Sequence, residues 1–116
     1  MSEPWRLRLA DRVELDLQDI VAWTAEKFGP RQAEHYIETV TQAIEALCDG
    51  PSILGARVRD DIGPGIHTLH VARRGRKGRH FVVFKVSDAQ TLDVLRLLHD
   101  SMDLEKHLPP TNDNPH

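Results

Sequence analysis

The sequence has only one cysteine, Cys48, and no long run of apolar residues. A single cysteine excludes an internal disulfide bond and a zinc site built from cysteine thiolates. No window approaches the roughly 18 uninterrupted apolar residues that a transmembrane helix needs, and Met1–Leu9 lacks the apolar core of a signal peptide. The composition, 40% apolar and 28% charged, is that of an ordinary soluble domain. We therefore expect a cytoplasmic protein that has no contact with a membrane.

Motifs for nucleotide binding, acyl transfer and metal binding are missing as well. The chain has no Walker loop and no nucleophile elbow, and its glycine-containing turns match no phosphate-binding fingerprint. His67 and His70 stand three apart on a predicted strand, so their side chains point to opposite faces of the sheet. His99 and His107 lack a partner at the spacing of known metal ligands. We therefore expect neither a metal ion nor any other cofactor.

Charge is divided into three blocks along the chain. Residues 1–50 carry a net charge of −5, residues 51–86 carry +6 and residues 87–116 carry −4. A basic middle in an acidic chain indicates a local contact with an anionic partner rather than general coating of nucleic acid. A solvated arginine-rich loop explains the same pattern, so charge alone does not decide between the two interpretations.

The first half of the chain predicts a strand followed by a helical hairpin. Residues 5–9 alternate between apolar side chains and arginine, as in a half-buried strand. Asp11 and Glu14 have the spacing of a capping box, which predicts the start of a helix. The Gly-Pro pair at 29–30 then ends this helix and begins a second one, which stops at residues 49–51.

The second half predicts a three-stranded meander. Residues 51–65 are rich in glycine and proline and are expected to form a loop. Strands are expected at Ile66–Val71, Phe81–Val86 and Leu92–Leu98. Because Phe81–Val86 is apolar on both faces, it should lie in the centre of a sheet that is covered on both sides. In a chain of this length, a partner protein is one source of the second cover.

The order of these elements predicts an α+β fold, β-α-α-β-β-β, with the two-helix hairpin packed on one face of a mostly antiparallel sheet. We expect a single domain at residues 1–108, which ends in a short helix at Asp103–Leu108. Residues 109–116 hold too little apolar surface to offset the entropic cost of ordering, so they should form a disordered tail.

Acid–base cleavage of RNA is a catalytic possibility that the residue types leave open. It requires a base for the 2′-hydroxyl proton and cations that stabilise the phosphorane. His99, Arg96 and the arginines of the turn at 72–80 are of the right chemical types. Arg96 also has acidic neighbours along the chain, among them Asp93 and Asp100. A structural ion pair therefore explains Arg96 as well as catalysis does.

Several segments together resemble the RelE/ParE superfamily of bacterial type II toxins. Residues 9–20 are similar to the acidic D-L-x-x-I opening of the family's first helix, and Gly63–Ile66 is similar to its G-x-G-x entry into the second strand. Phe81–Val86 resembles the apolar central strand, and Val94–His99 resembles the last strand, typically I-L-R-V-L-H. The order and spacing of these segments, over residues 5–108, carry the resemblance.

The resemblance implies a function. The ending Leu95–His99 is typical of the ParE branch, whereas the RNase branch relies on basic residues and a Tyr or His near the C-terminal end. This chain has no tyrosine after Tyr36, and Leu104–Leu108 is not basic. A ParE-like toxin is expected to inhibit DNA gyrase by binding, without being an enzyme, and to be neutralised by a ParD-like antitoxin. The alternatives are a ribosome-dependent mRNA endonuclease that uses His99 and Arg96, and a non-toxic remnant that only binds the antitoxin.

The resemblance also implies which residues act. Contacts with the target are expected in the basic turn and at the end of the last strand, at Arg73, Arg74, Arg76, Lys77, Arg79, Arg96, His99 and Met102. The antitoxin is expected to lay an amphipathic helix and an extended tail over the sheet surface, at Arg6, Arg8, Val82 and Phe84. Contact with DNA is expected only indirectly, through gyrase or through the antitoxin.

Overall fold

The structure is a computed structural model, and it describes residues 3–101. Met102, the predicted helix Asp103–Leu108 and the predicted tail at 109–116 lie outside the described residues. Among residues 3–101, no helix is long and apolar enough to cross a membrane.

Residues 3–101 form two helices and a five-stranded sheet, and the expected α+β fold is confirmed. The elements are β1 (Arg6–Leu9), α1 (Asp11–Phe28), α2 (Pro30–Ala46), β2 (Ala56–Val58), β3 (Ile66–His70), β4 (His80–Asp88) and β5 (Thr91–His99), with a single 3-10 turn after α2 at Leu47–Asp49. The strand order is β1-β5-β4-β3-β2, in which β1 is parallel to β5 and the other pairs are antiparallel.

Strand β2 lies in the stretch that was predicted to be a loop, and this prediction is wrong on that point. Its three residues pair with β3, from Ala56 opposite Leu69 to Val58 opposite His67. A strand of three residues is too short to show an alternating pattern. Glycines and prolines on both sides therefore dominate the local composition.

The two helices begin and end close to the predicted residues. Gly29 ends α1 with φ +94°, a backbone conformation that favours glycine, and Pro30 begins α2. The predicted capping box is wrong, because Ala10 caps α1 and provides no side-chain hydrogen bond. Asp11 and Glu14 lie inside the first turn instead, where carboxylates interact favourably with the helix dipole.

The central strand β4 is apolar and buried on both faces at Val82, Val83 and Phe84, as predicted, whereas Val86 in its second half is 42% exposed. Val82 and Phe84 pack towards the helices in the main core, and Val83 packs on the opposite face with Ile66 and Leu98. Ile62, from the loop before β3, covers part of this second face. The chain thus supplies some of the second cover itself.

Strand β1 pairs with only the first half of β5, and α1 lies beside the second half. The β1–β5 ladder runs from Arg6 opposite Thr91 to Leu9 opposite Val94. The chain then enters α1 directly, and the Asp16 carboxylate accepts a hydrogen bond from the Leu97 N–H at 3.0 Å. A helix side chain thereby satisfies a backbone donor on a buried strand, as such donors require.

Candidate functional site

The first residue of β4 lies beside the last residue of β5. The polar residues around this point form what we call the strand-end cluster: Tyr36, His70, Arg79, His80, His99, Asp100 and Ser101. His80 lies opposite His99 in the strand register, and the centroids of their rings are 5.2 Å apart. Beyond the strands, the Asp100 N–H donates to the Arg79 carbonyl oxygen at 2.8 Å. Strand pairing therefore joins the basic turn before β4 to the end of β5.

Tyr36 connects α2 to this cluster. Its hydroxyl accepts a hydrogen bond from the Arg79 N–H at 3.0 Å and lies 2.7 Å from Nδ1 of His80. Burial, with repulsion from His99 as a second cause, lowers the pKa of His80 from 6.5 to about 4. Burial also raises the pKa of Tyr36. At neutral pH, a neutral hydroxyl therefore donates to a neutral imidazole, so Tyr36 positions the strand end.

Asp100 is the anionic centre of the cluster. Its carboxylate lies 3.0 Å from Nε2 of His70 and accepts a hydrogen bond from Nε of Arg79 at 3.2 Å. The hydrogen bond with His70 is the main cause that lowers the pKa of Asp100, and Arg79 lowers it further. His99 contacts both Ser101, with 2.7 Å between Nδ1 and Oγ, and Asp100, with 3.7 Å between Nδ1 and Oδ1. The cluster thus holds an ionised carboxylate beside a half-exposed imidazole.

Arg96 forms a buried ion pair with Asp16 on α1. Its Nε lies 2.8 Å from Oδ2, and its Nη2 lies 3.0 Å from Oδ1. The side chains of Arg96 and Asp16 are 14% and 6% exposed. The structural ion pair considered for Arg96 is present, but its partner is not one of the acidic neighbours in sequence. Asp93 pairs with Arg8 at 2.7 Å instead.

Arg96 and His99 do not converge on one point. Arg96 lies opposite Val83, whose side chain packs on the face away from the helices, whereas His99 lies opposite His80 on the helix side. Residues three apart on a strand point to opposite faces. The two groups considered for RNA cleavage therefore point to different faces of the sheet.

The cations of the basic turn, residues 72–79, differ in how strongly the protein holds them. Nε of Arg76 donates to Oγ1 of Thr39 at 2.8 Å, and its Nη2 donates to the His35 carbonyl at 3.2 Å. Arg79 pairs with Asp100, and Arg73 reaches the Leu54 carbonyl at 3.5 Å. The two other cations expected to contact a target are exposed on the turn: Arg74 and Lys77.

The residues expected to bind the antitoxin fall into two groups. Arg6 and Arg8 are exposed on the edge strand β1, where they are accessible to a partner. Val82 and Phe84 are fully buried between the sheet and the helices, so they are core residues and the expectation is corrected for both. The apolar side chains on the opposite face that remain partly accessible include Phe81 and Leu95.

Sequence reasoning missed Asp16, His70 and His80. The contact between Asp16 and Arg96 joins positions far apart in sequence, and no local spacing indicates it. The His80–His99 pair could have been found, because aligning the two predicted hairpin strands places their outer ends side by side. The role of Tyr36 has no such signal, since it depends on where α2 crosses the sheet.

Comparisons with known proteins show to which family the chain belongs. The family model described as "ParE toxin of type II toxin-antitoxin system, parDE" matches residues 7–104. Toxin ParE1 of Mycobacterium tuberculosis is 31% identical over 103 residues, which cover 89% of this chain and 97% of that protein. Toxin ParE1 of Caulobacter vibrioides is 28% identical over 101 residues, which cover 87% of this chain and 95% of that protein.

The fold also matches a solved structure, described as the chromosomal ParDE TA system from P. aeruginosa. The match has a TM-score of 0.66 at 20% identity and covers 84% of this chain and 98% of that one. A two-helix hairpin on a mixed five-stranded sheet is thus a RelE/ParE-like toxin fold. The chain belongs to the ParE toxin family of type II toxin–antitoxin systems.

Proposed function

We propose that this protein inhibits DNA gyrase by binding to it and that a ParD-like antitoxin neutralises it. The observation that carries inhibition by binding is the arrangement of β5. Arg96 is held by Asp16, and His99 lies on the other face of the sheet. General acid–base catalysis needs both groups within reach of one substrate, so the geometry favours a toxin that acts without cleaving RNA.

The outer surface of α1 supports a protein partner. Trp23 and Phe28 are 55% and 64% exposed, and their rings contact each other edge-on with 5.9 Å between centroids. Leu15 is also exposed on this helix. Exposed apolar side chains that lie together are typical of interaction surfaces. An amphipathic helix of the antitoxin would cover them with its apolar face.

Strand β1 provides the second part of the proposed antitoxin site. It is the terminal strand of the sheet and pairs with β5 on one side only. Unpaired backbone groups on an edge strand accept an additional strand from a partner. The exposed side chain of Arg6 lies at this edge and would attract an acidic extended tail, whereas Arg8 is paired with Asp93 and would have to exchange that partner.

The test is a DNA gyrase assay with purified protein that is free of antitoxin. We expect loss of supercoiling, with double-strand breaks trapped when gyrase is denatured, and recovery when the antitoxin is added. The protein must be shown to be folded by circular dichroism in the same buffer. Normal supercoiling with folded protein would eliminate the gyrase mechanism.

A parallel assay separates the mRNA endonuclease alternative. Ribosome-bound mRNA is incubated with the wild type and with a His99→Ala variant, and cleavage is mapped by primer extension. We expect no cleavage by either protein. Cleavage by the wild type that His99→Ala abolishes would replace gyrase inhibition with RNA hydrolysis as the function.

A further inference from the structure

The basic turn at residues 72–79 is held firmly against α2. Gly78 packs so closely on Tyr36 and Val71 that a Cβ atom at this position would overlap the Val71 side chain. The Arg79 N–H donates to the Tyr36 hydroxyl, and the Arg76 side chain donates to Thr39. A surface loop with contacts at three successive points is pre-organised, so it loses little conformational entropy when a ligand binds.

The same contacts determine which cations of the turn remain available to bind a ligand. Arg76 and Arg79 are engaged with α2 and with Asp100. Arg74 and Lys77 are exposed, and within residues 3–101 the structure shows no ion pair for either of them. Arg74 and Gly75 both have left-handed backbone angles, φ +52° and +80°, which form the tip of the turn. The turn thus presents two cations on a rigid support.

We propose that Arg74 and Lys77 contact the phosphate backbone of duplex DNA. The inference rests on the proposed function, because gyrase would supply the DNA to which the toxin binds. Lysine and arginine side chains on a protruding turn are typical contacts to phosphate, and such contacts position a protein without reading sequence. The turn would therefore orient the toxin on the DNA that gyrase holds.

Duplex DNA fits the turn better than an acidic peptide does. The cleft behind the turn, with a volume of about 510 Å³, is lined by Glu45 and Asp49 as well as by arginines. A peptide carboxylate in this cleft would meet the carboxylates of Glu45 and Asp49 as well as the arginines. Arg74 is among the residues that line this cleft, and a duplex, which is too wide to enter it, would contact Arg74 and Lys77 from the solvent side.

The distribution of charge limits this contact to the turn. Residues 1–50, which include both helices, carry a net charge of −5, and these surfaces repel a polyanion. Binding to free DNA should therefore be weak and strongly dependent on salt. The contact with DNA becomes strong enough to matter when gyrase binds both the toxin and the DNA, because tethering raises the local concentration of each for the other.

The test measures binding to a short fluorescent DNA duplex by anisotropy at several salt concentrations. The variant is Arg74→Asn/Lys77→Gln, because asparagine tolerates a left-handed backbone angle. The matched control, Lys27→Gln/Arg31→Gln, removes two exposed helical cations and the same net charge. We expect the turn variant to bind roughly tenfold more weakly at low salt and to reduce the slope of log K against log salt by about 1.8. The control should bind like the wild type.

The outcomes separate this inference from the proposed function. Wild-type protein that does not bind the duplex, or a turn variant that binds as well as the control, would overturn the DNA contact. The same proteins in the gyrase assay then report on gyrase independently. A turn variant that binds DNA normally but inhibits gyrase poorly would assign the turn to the gyrase surface instead. Binding that is tighter to single-stranded RNA than to the duplex would also overturn the proposal.

Discussion

Two arginine–aspartate pairs at the end of β5 have similar chemistry and opposite surroundings. Arg96 and Asp16 are 14% and 6% exposed, whereas Arg79 and Asp100 are 70% and 21% exposed. The buried carboxylate accepts two hydrogen bonds from the guanidinium and one from a strand N–H. The Asp100 carboxylate, which is partly exposed, is shared between Arg79 and His70 and lies 3.7 Å from Nδ1 of His99.

This difference in burial indicates that one pair contributes to the stability of the fold and the other to a binding surface. A buried charge that loses its partner destabilises a fold strongly, so the Arg96–Asp16 pair is fixed. An exposed ion pair contributes little to stability, because water and salt screen it. Loss of the Arg79–Asp100 pair should therefore leave the fold intact. The exposed pair is suited to a binding surface and the buried pair to holding α1 on the sheet.

The largest effect is expected from breaking the buried pair. Asp16→Ala removes the acceptor that the Arg96 guanidinium and the Leu97 N–H share, and with it the ion-pair partner of Arg12. We expect the free energy of unfolding to fall by about 3–5 kcal/mol, measured by urea denaturation. Asp93→Ala, which breaks the exposed pair with Arg8, is the matched control and should cost less than about 1 kcal/mol.

Equal losses of unfolding free energy in Asp16→Ala and Asp93→Ala would show that burial does not distinguish the two ion pairs. An Asp16→Ala/Arg96→Met double variant sharpens the comparison, because removing both charges of a buried pair is often close to neutral. We expect the double variant to be more stable than Asp16→Ala alone.

The next largest loss of stability is expected from disturbing the contact between the basic turn and α2. Gly78→Ala places a methyl group against Val71 and Tyr36, and overpacking of this kind costs about 1–3 kcal/mol. The turn should also separate from α2, which amide hydrogen exchange at Arg79 would detect. Gly75→Asn is the control, since Gly75 has φ +80° and no heavy atom within 4 Å of an added Cβ. A larger loss at Gly75 would contradict the docking contact.

Much of the fold could be predicted because it depends on local pattern. The double apolar character of Phe81–Val86 predicted a central, doubly covered strand, and the Gly-Pro pair at 29–30 predicted the helix hairpin. Both are properties of consecutive residues. Strand β2 was missed because three residues between turns carry no periodic signal.

The site was predictable only in part, because its contacts join distant segments. The types of Arg96 and His99 suggested chemistry, but their strand positions put them on opposite faces, which the alternation rule could have shown. Asp16 could not be assigned to Arg96 without knowing that α1 replaces β1 beside β5. Which cations of the basic turn are bound by the protein and which are exposed likewise depends on how α2 crosses the turn.

A smaller effect is expected from pH, through His80. The folded-state pKa of His80 is about 4, below its value of about 6.5 in an unfolded chain. The unfolded state therefore binds the proton first, and stability is lost as pH falls from about 6.5 to about 4. Linkage alone gives about 3 kcal/mol, which partial exposure reduces to roughly 1–2 kcal/mol. Denaturation midpoints measured across this range test the prediction.

His80→Gln is the control for this pH dependence, because its amide can still accept a hydrogen bond from Tyr36 but does not titrate. Stability of the variant should change less between pH 6.5 and pH 4 than stability of the wild type. The lowered pKa of Asp100 acts in a separate range, because it removes stability only as pH falls below the normal range of an aspartate. Parallel curves for the two proteins would assign the pH dependence to other groups.

The smallest effect on stability, and the sharpest test of the comparison, is expected at Asp100. Asp100→Asn keeps the size of the side chain but removes the charge that pairs with Arg79. Because this pair is exposed, we expect a loss of less than about 1 kcal/mol in urea denaturation. The variant should nevertheless bind duplex DNA a few-fold more tightly, since Arg79 becomes available beside Arg74 and Lys77 and an anion is removed. Tighter binding with an intact fold would show that Asp100 restrains the basic turn. A large loss of stability would instead make the exposed pair structural, like the pair of Arg96 and Asp16.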